Sequence, residues 1–174
     1  MTVDEAVAPV IAFRVDADSG VGYGHLERCL RLAAHLRDAQ AVFLLRGDDA
    51  ATARVAQAGH PLRRLDPTED LDADRWFDTH GSERRIVVLD LSHHLTAELR
   101  QRLFASCETL GRRGVARAVI DGLGVDALVA DAAFPAEMVV APYAGVAPLV
   151  RAGLIHLHGS SYAVLAGGPG APAR

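Results

Sequence analysis

Short aliphatic runs recur along this chain, each bounded by a turn-forming or acidic residue, with helical spacing between many of them. The runs are Val10–Val15, Ala41–Leu45, Pro61–Leu65, Arg85–Leu89, Val115–Ile120, Ala127–Ala130, Met138–Val140 and Leu154–His158. Between the early runs the period changes. From His25, taking 100° per residue, Leu26, Cys29, Leu30, Leu32, Ala33 and Leu36 share one broad side, with Glu27, Arg31 and Asp38 opposite. Asp49–Ala58 predicts a short helix closed by Gly59, Leu71–Thr79 an acidic helix, and Thr96–Leu110 a helix ending at Gly111. Buried strands alternating with helices predict an α/β domain: a Rossmann-like open parallel sheet with helices on both faces.

Length and composition fit one such domain. The chain has 174 residues, half of them hydrophobic and 23% charged, and a mean hydropathy of +0.14. That is enough apolar material for a substantial core and argues against general disorder. None of the apolar runs approaches the roughly 18 residues of a membrane span. Residues 1–9 read as a loose arm ending at Pro9, and 10–165 as the folded domain with a closing turn at Ser161–Leu165. Residues 166–174, with Gly-Gly-Pro-Gly-Ala-Pro, read as a frayed end or linker stub.

Charge removes one class of partner. All eighteen basic residues are Arg, set among twenty-two acids for a net charge of −4. The pairs Arg63-Arg64, Arg84-Arg85 and Arg112-Arg113 do not make the basic face that nucleic acid requires. The two cysteines, Cys29 and Cys107, lack metal-site spacing and read as reduced thiols of a cytosolic protein. The acidic first ten residues carry no secretion signal.

The most informative stretch is Phe13-Arg-Val-Asp16-Ala-Asp-Ser-Gly20-Val-Gly22-Tyr23-Gly24-His25-Leu-Glu-Arg28-Cys29. A strand runs into three alternating glycines and then a helix. Glycines admit positive φ and close backbone approach, and a helix start presents unpaired N–H groups with partial positive charge. Together they suit phosphate, carboxylate or a polar sugar ring; a tight turn that packs the helix on the sheet is the plain alternative. The spacing is not the dinucleotide fingerprint, and with no Lys in the chain it is not a P-loop. A helix start also disfavours the imidazolium of His25, which fits a general base, against a polar residue that only meets solvent.

Arg14-x-Asp16 followed by Gly20-x-Gly22-x-Gly24-His25-x-x-Arg28-Cys29-Leu30-x-Leu32-Ala33 resembles the opening of the hydrolases that remove UDP from a 2,4-diacetamido-2,4,6-trideoxy-altropyranose in pseudaminic acid synthesis. The resemblance implies the N-terminal half of a GT-B-like fold, in which two Rossmann-like domains form a cleft. It implies hydrolysis of the anomeric C–O bond with release of UDP and inversion, and it places the catalytic residue at His25. It implies a nucleotide-sugar as the small-molecule partner; no cofactor is expected, and no metal, because His93 and His94, which could join Asp90 as ligands, are adjacent and seldom point to one ion.

Asp16, Asp90, Asp121 and Asp131 fall at or just beyond strand carboxyl ends, which share one edge in an open parallel sheet. There they could orient His25, bind sugar hydroxyls or hold a metal; turn formation and helix capping are the plain roles. We read His25 and Asp16 as the catalytic residues, with His25 as general base. Gly20, Gly22, Tyr23, Gly24, Arg28, Asp90, Ser92, His93, Asp121 and Tyr162 form the expected substrate contacts. Asp90-Leu-Ser92-His93-His94 resembles the Asp-x-Tyr segment of those hydrolases, with Ser92 in place of the Tyr that lines the sugar pocket. Ile120-Asp121-Gly122-Leu123 resembles their Ile-Asp-Asp-Leu turn, and the chain has no Asn for their Asn-bearing segment. His158-Gly159-Ser-Ser161-Tyr162-Ala163-x-Leu165 resembles the segment that closes their first domain.

The resemblance spans residues 10 to 165 and stops where a second, nucleotide-binding domain would begin. The expected activity then needs that second wall: from the rest of a longer protein, a partner chain carrying the UDP-binding domain, or a homodimer. A non-catalytic sugar-binding or partner module of the same fold is the alternative. A receiver-like α/β domain fits the strand-end acids, but the absent Lys and the glycine loop oppose it.

Overall fold

The computed structural model describes residues 8–66, 84–91, 96–120, 134–143, 145 and 149–163. Its strands are β1 (Val10–Ala17), β2 (Gln40–Gly47), β3 (Leu62–Arg64), β4 (Arg85–Asp90), β5 (Ala116–Ile120), β6 (Met138–Ala141) and β7 (Ile155–His158). The helices are α1 (Gly24–His35), α2 (Asp49–Gln57) and α3 (Ala97–Arg112), with a 3-10 turn at Ser160–Tyr162. All seven strands are parallel, in the order β3-β2-β1-β4-β5-β6-β7. The expected Rossmann-like α/β architecture, a parallel sheet flanked by helices on both faces, is present. The expected elements at Leu71–Thr79 and Ala127–Ala130 lie outside the described residues.

Two cores follow from the alternation of side chains along each strand. Phe13, Val15, Phe43 and Leu45 meet Leu26, Cys29 and Ala33 of α1 and Val55 of α2 on one face. On the other, Ala12, Leu44, Val87, Leu89 and Val119 join Leu103, Cys107 and Leu110 of α3. Phe13 and Phe43 stack across β1 and β2, centroids 5.3 Å apart and planes at 22°. Burial on both faces explains why these strands read as continuous apolar runs rather than alternating ones.

Helix ends follow side-chain chemistry. Asp48 caps α2 by accepting from the Ala51 amide at 2.9 Å, and Thr96 caps α3 through Leu99 N at 3.2 Å. α3 runs past the expected stop at Gly111, and the residue with positive φ is Gly114 (74°). Gly111 serves packing instead. A Cβ there would collide with the Arg117 guanidinium, which crosses the helix to reach the Cys107 carbonyl at 2.9 Å.

Two features of this sheet position the site. β1 ends at the centre, with β2 on one side and β4 on the other, and Val15 pairs in register with Asp90. The carboxyl ends of β1 and β4 therefore lie, with the first turn of α1, at the sheet edge where doubly wound folds take their ligands.

Candidate active site

The spacing His25, Arg28, Cys29 is i, i+3, i+4, which sets the three side chains on one face of α1. That face looks onto the end of β4, and all three converge on one carboxylate. Asp90 is completely buried. Its Oδ1 lies 2.8 Å from His25 Nδ1 and accepts from Arg28 Nη2 at 2.5 Å. Its Oδ2 accepts from Arg28 Nε at 2.7 Å and from the Cys29 thiol at 3.5 Å. The Arg28–Asp90 pair is thus bidentate, the geometry in which an arginine–carboxylate contact is strongest and most directional.

Geometry also fixes the tautomer of His25. Nδ1 faces Asp90 at 2.8 Å and Arg28 Nη2 at 3.2 Å. A guanidinium only donates and a carboxylate only accepts, so the ring cannot satisfy both. The shorter contact is with the carboxylate. Nδ1 is therefore assigned the proton that is donated to Asp90, and in the neutral ring Nε2 is the acceptor nitrogen. The His25 and Arg28 side chains keep 18% and 16% exposure, so both are partly open to solvent above the buried carboxylate.

Around the cluster the electrostatics favour a fixed arrangement. Burial works against the charged form of Arg28, but the hydrogen bond and charge of Asp90 outweigh it and hold its pKa above the ordinary arginine value. Burial first, and then the charge of Asp90, pushes the Cys29 thiol well above its usual range. Cys29 is accordingly a neutral donor, not a thiolate nucleophile. On the far side, Arg28 Nη1 donates to the Tyr143 hydroxyl at 3.1 Å, bringing the end of β6 into the same constellation.

Asp16, the other expected catalytic residue, pairs with Arg14. Its Oδ1 accepts from Arg14 Nη1 at 2.6 Å, and the imidazole partners of His25 are Asp90 and Arg28. Asp16 and Arg14 are buried together, Arg14 completely. The physical reason is strand geometry. Arg14 and Asp16 are two residues apart on β1 and so share a face, whereas Asp90 lies under the helix face that bears His25.

The three loop glycines also divide. Only Gly22 has positive φ, at 88°. The amides of Gly20 and Val21 donate to Asp18 Oδ1 at 2.7 and 2.8 Å, and Gly22 N donates to the Asp18 carbonyl at 2.7 Å. These amides hold the loop together, so they are not open donors for an anion. A Cβ at Gly24 would meet open space.

Tyr23 is held from the side of α2. Its hydroxyl donates to Asp48 Oδ2 at 2.7 Å, and Arg54 lies 4.1 Å over its ring while pairing with Glu27 at 2.6 Å. Asp48 is held below its usual carboxylate range, first by the Ala51 amide and then by the Tyr23 hydroxyl, and that same hydroxyl bond raises Tyr23. The glycine loop is thereby tied to the cap of α2.

His25, Arg28 and Asp90 come together as expected site residues, with Tyr23 and Gly24 at the entry to the same helix. Tyr162 lies in the 3-10 turn after β7, 44% exposed. Ser92, His93 and Asp121 lie outside the described residues, as does Asp131. Tyr143 and Asp48 were missed, although both follow strand ends, the signal that singled out the acids. Among the described residues no group of three or more His, Cys, Asp or Glu is placed to hold a metal ion, and no helix is long and apolar enough to cross a membrane. No protein-family model, curated protein or solved structure matches the chain.

Proposed function

We propose that this domain is the catalytic wall of a nucleotide-sugar hydrolase that cleaves the anomeric C–O bond of a UDP-linked diacetamido-trideoxy sugar. The observation that carries this reading is the bond from His25 Nδ1 to the buried carboxylate of Asp90. A partly exposed histidine whose Nδ1 is held by a buried carboxylate is the arrangement of a general base. The glycine loop and its resemblance to the pseudaminic-acid hydrolases supply the substrate class.

In the proposed reaction, His25 Nε2 takes a proton from water as the water oxygen bonds to the anomeric carbon. The bond from that carbon to the phosphate oxygen breaks, and its electron pair leaves with UDP. Attack opposite the leaving group inverts the centre. Asp90 steadies the imidazolium that forms, and Arg28 keeps Asp90 ionised and in place. A second domain or partner chain carrying the UDP site is part of the proposal, because the leaving diphosphate must be neutralised and bulk water excluded.

The test is incubation with the UDP-linked sugar in ¹⁸O-water, following UDP release and the position of the label. The proposal expects UDP with ¹⁸O in the sugar hydroxyl and none in the phosphate. Label in the phosphate would place the cleavage at P–O and contradict it. Sugar-nucleotide binding with no release, even with a UDP-binding partner domain added, would assign the domain to binding instead.

A further inference from the structure

Arg28 engages its neighbours through all three guanidinium nitrogens. Nε and Nη2 donate to Asp90, and Nη1 donates to the Tyr143 hydroxyl at 3.1 Å. A guanidinium has donors and no acceptor, so in that contact the phenol oxygen accepts and its own hydrogen is not used. Among the described residues this hydrogen meets no acceptor. Tyr143 is half-buried, as are His25 and Arg28, so the three groups are partly open at one edge of the sheet.

Local backbone chemistry fixes where that hydroxyl sits. β6 ends at Ala141, and the Tyr143 amide donates back to the Ala141 carbonyl at 2.8 Å, closing a three-residue turn around Pro142. The proline ring presets the φ that such a turn requires. β6 runs parallel to β4 with β5 between them, so Tyr143 comes off the same carboxyl edge as Asp90. A stiff turn, and not a long loop, therefore places the phenol beside Arg28.

We propose that Tyr143 is a sugar-contacting residue, its hydroxyl donating to an acetamido carbonyl of the substrate. The inference rests on the sugar class proposed above and not on turnover. A cationic donor on the phenol oxygen polarises the O–H and strengthens it as a donor. An amide carbonyl is the best neutral acceptor that a diacetamido sugar offers. Inversion puts the attacking water and the leaving diphosphate on opposite sides of the anomeric carbon. Tyr143 is tied through Arg28 and Asp90 to His25, on the water side, so its partner is the sugar and not the diphosphate.

The test is binding of the free diacetamido sugar, which needs no UDP-binding domain, followed by amide chemical shifts of the ¹⁵N-labelled chain. Tyr143→Phe keeps the ring and removes the hydroxyl. It should weaken binding about three- to tenfold, the effect of one neutral hydrogen bond. Two analogues, each with one acetamido group replaced by hydroxyl, separate a direct contact from a change of shape. For one of them the loss on the native protein should exceed the loss on Tyr143→Phe by about three- to tenfold. Unchanged affinity in Tyr143→Phe, or equal losses on both proteins for both analogues, would overturn the proposal. So would a native protein that shows no shift with the sugar at about 10 mM. Sugar bound through Tyr143 by a protein that releases no UDP, even with a UDP-binding partner domain, would contradict the hydrolase reading and support this contact.

Discussion

Replacing His25 by Gln lowers the rate of UDP release about 10²- to 10⁴-fold, the range over which a positioned general base accelerates a proton transfer. The effect falls on kcat with little change in KM, because the imidazole acts on water in the transition state and adds little to ground-state binding. Gln is close in size and keeps polar contact with Asp90, so the fold is preserved. At 18% exposure His25 lies on no core that the change would open. Initial rates of UDP formation for both proteins, each supplied with the same UDP-binding partner domain, measure the ratio. An unchanged kcat in His25→Gln would remove His25 from the chemistry.

The largest stability effect falls on the partner beneath it. Asp90→Ala costs about 3–5 kcal/mol of unfolding free energy, the range for breaking a buried ion pair by removing one member. Asp90 is fully buried and accepts from His25, from Arg28 through two nitrogens, and from Cys29. Without the carboxylate, the Arg28 guanidinium, at 16% exposure, keeps its hydrogen bond to the Tyr143 hydroxyl but loses its counter-charge. Asp90→Asn keeps the volume and an acceptor oxygen, so it costs less. Urea unfolding of the native protein and both variants measures the order: Ala below Asn, and Asn below native. A loss under about 1 kcal/mol for Asp90→Ala would mean that the cluster does not hold the two elements together.

The sequence carried the architecture further than it carried the site, for physical reasons. A parallel sheet covered on both faces writes itself locally: Val10–Val15 and Arg85–Leu89 are apolar along their length because both sides are buried. The spacing of His25, Arg28 and Cys29 on one helix face is equally local. Their meeting point is not. Asp90 is 65 residues from His25, and only the register of β4 beside β1 brings it beneath α1. Asp16, adjacent to the glycine loop in sequence, is the natural choice on proximity alone. The strand pleat instead gives it to Arg14. The glycines mislead in the same way, because spacing does not say that Asp18 will take up the amides of Gly20 and Val21. Tyr143 follows the expected strand end of β6, but a reading of strand ends for acids passes over a hydroxyl there.

Nitrogen NMR of the histidine rings tests the organisation of this site most directly. In protein labelled with ¹⁵N-histidine, two-bond proton–nitrogen correlations report which ring nitrogen bears hydrogen, with His25→Gln assigning the signal. The account predicts that the neutral ring holds its hydrogen on Nδ1, shared with Asp90, and none on Nε2. Hydrogen resident on Nε2 would leave the ring nothing with which to accept a proton from water, and would contradict it.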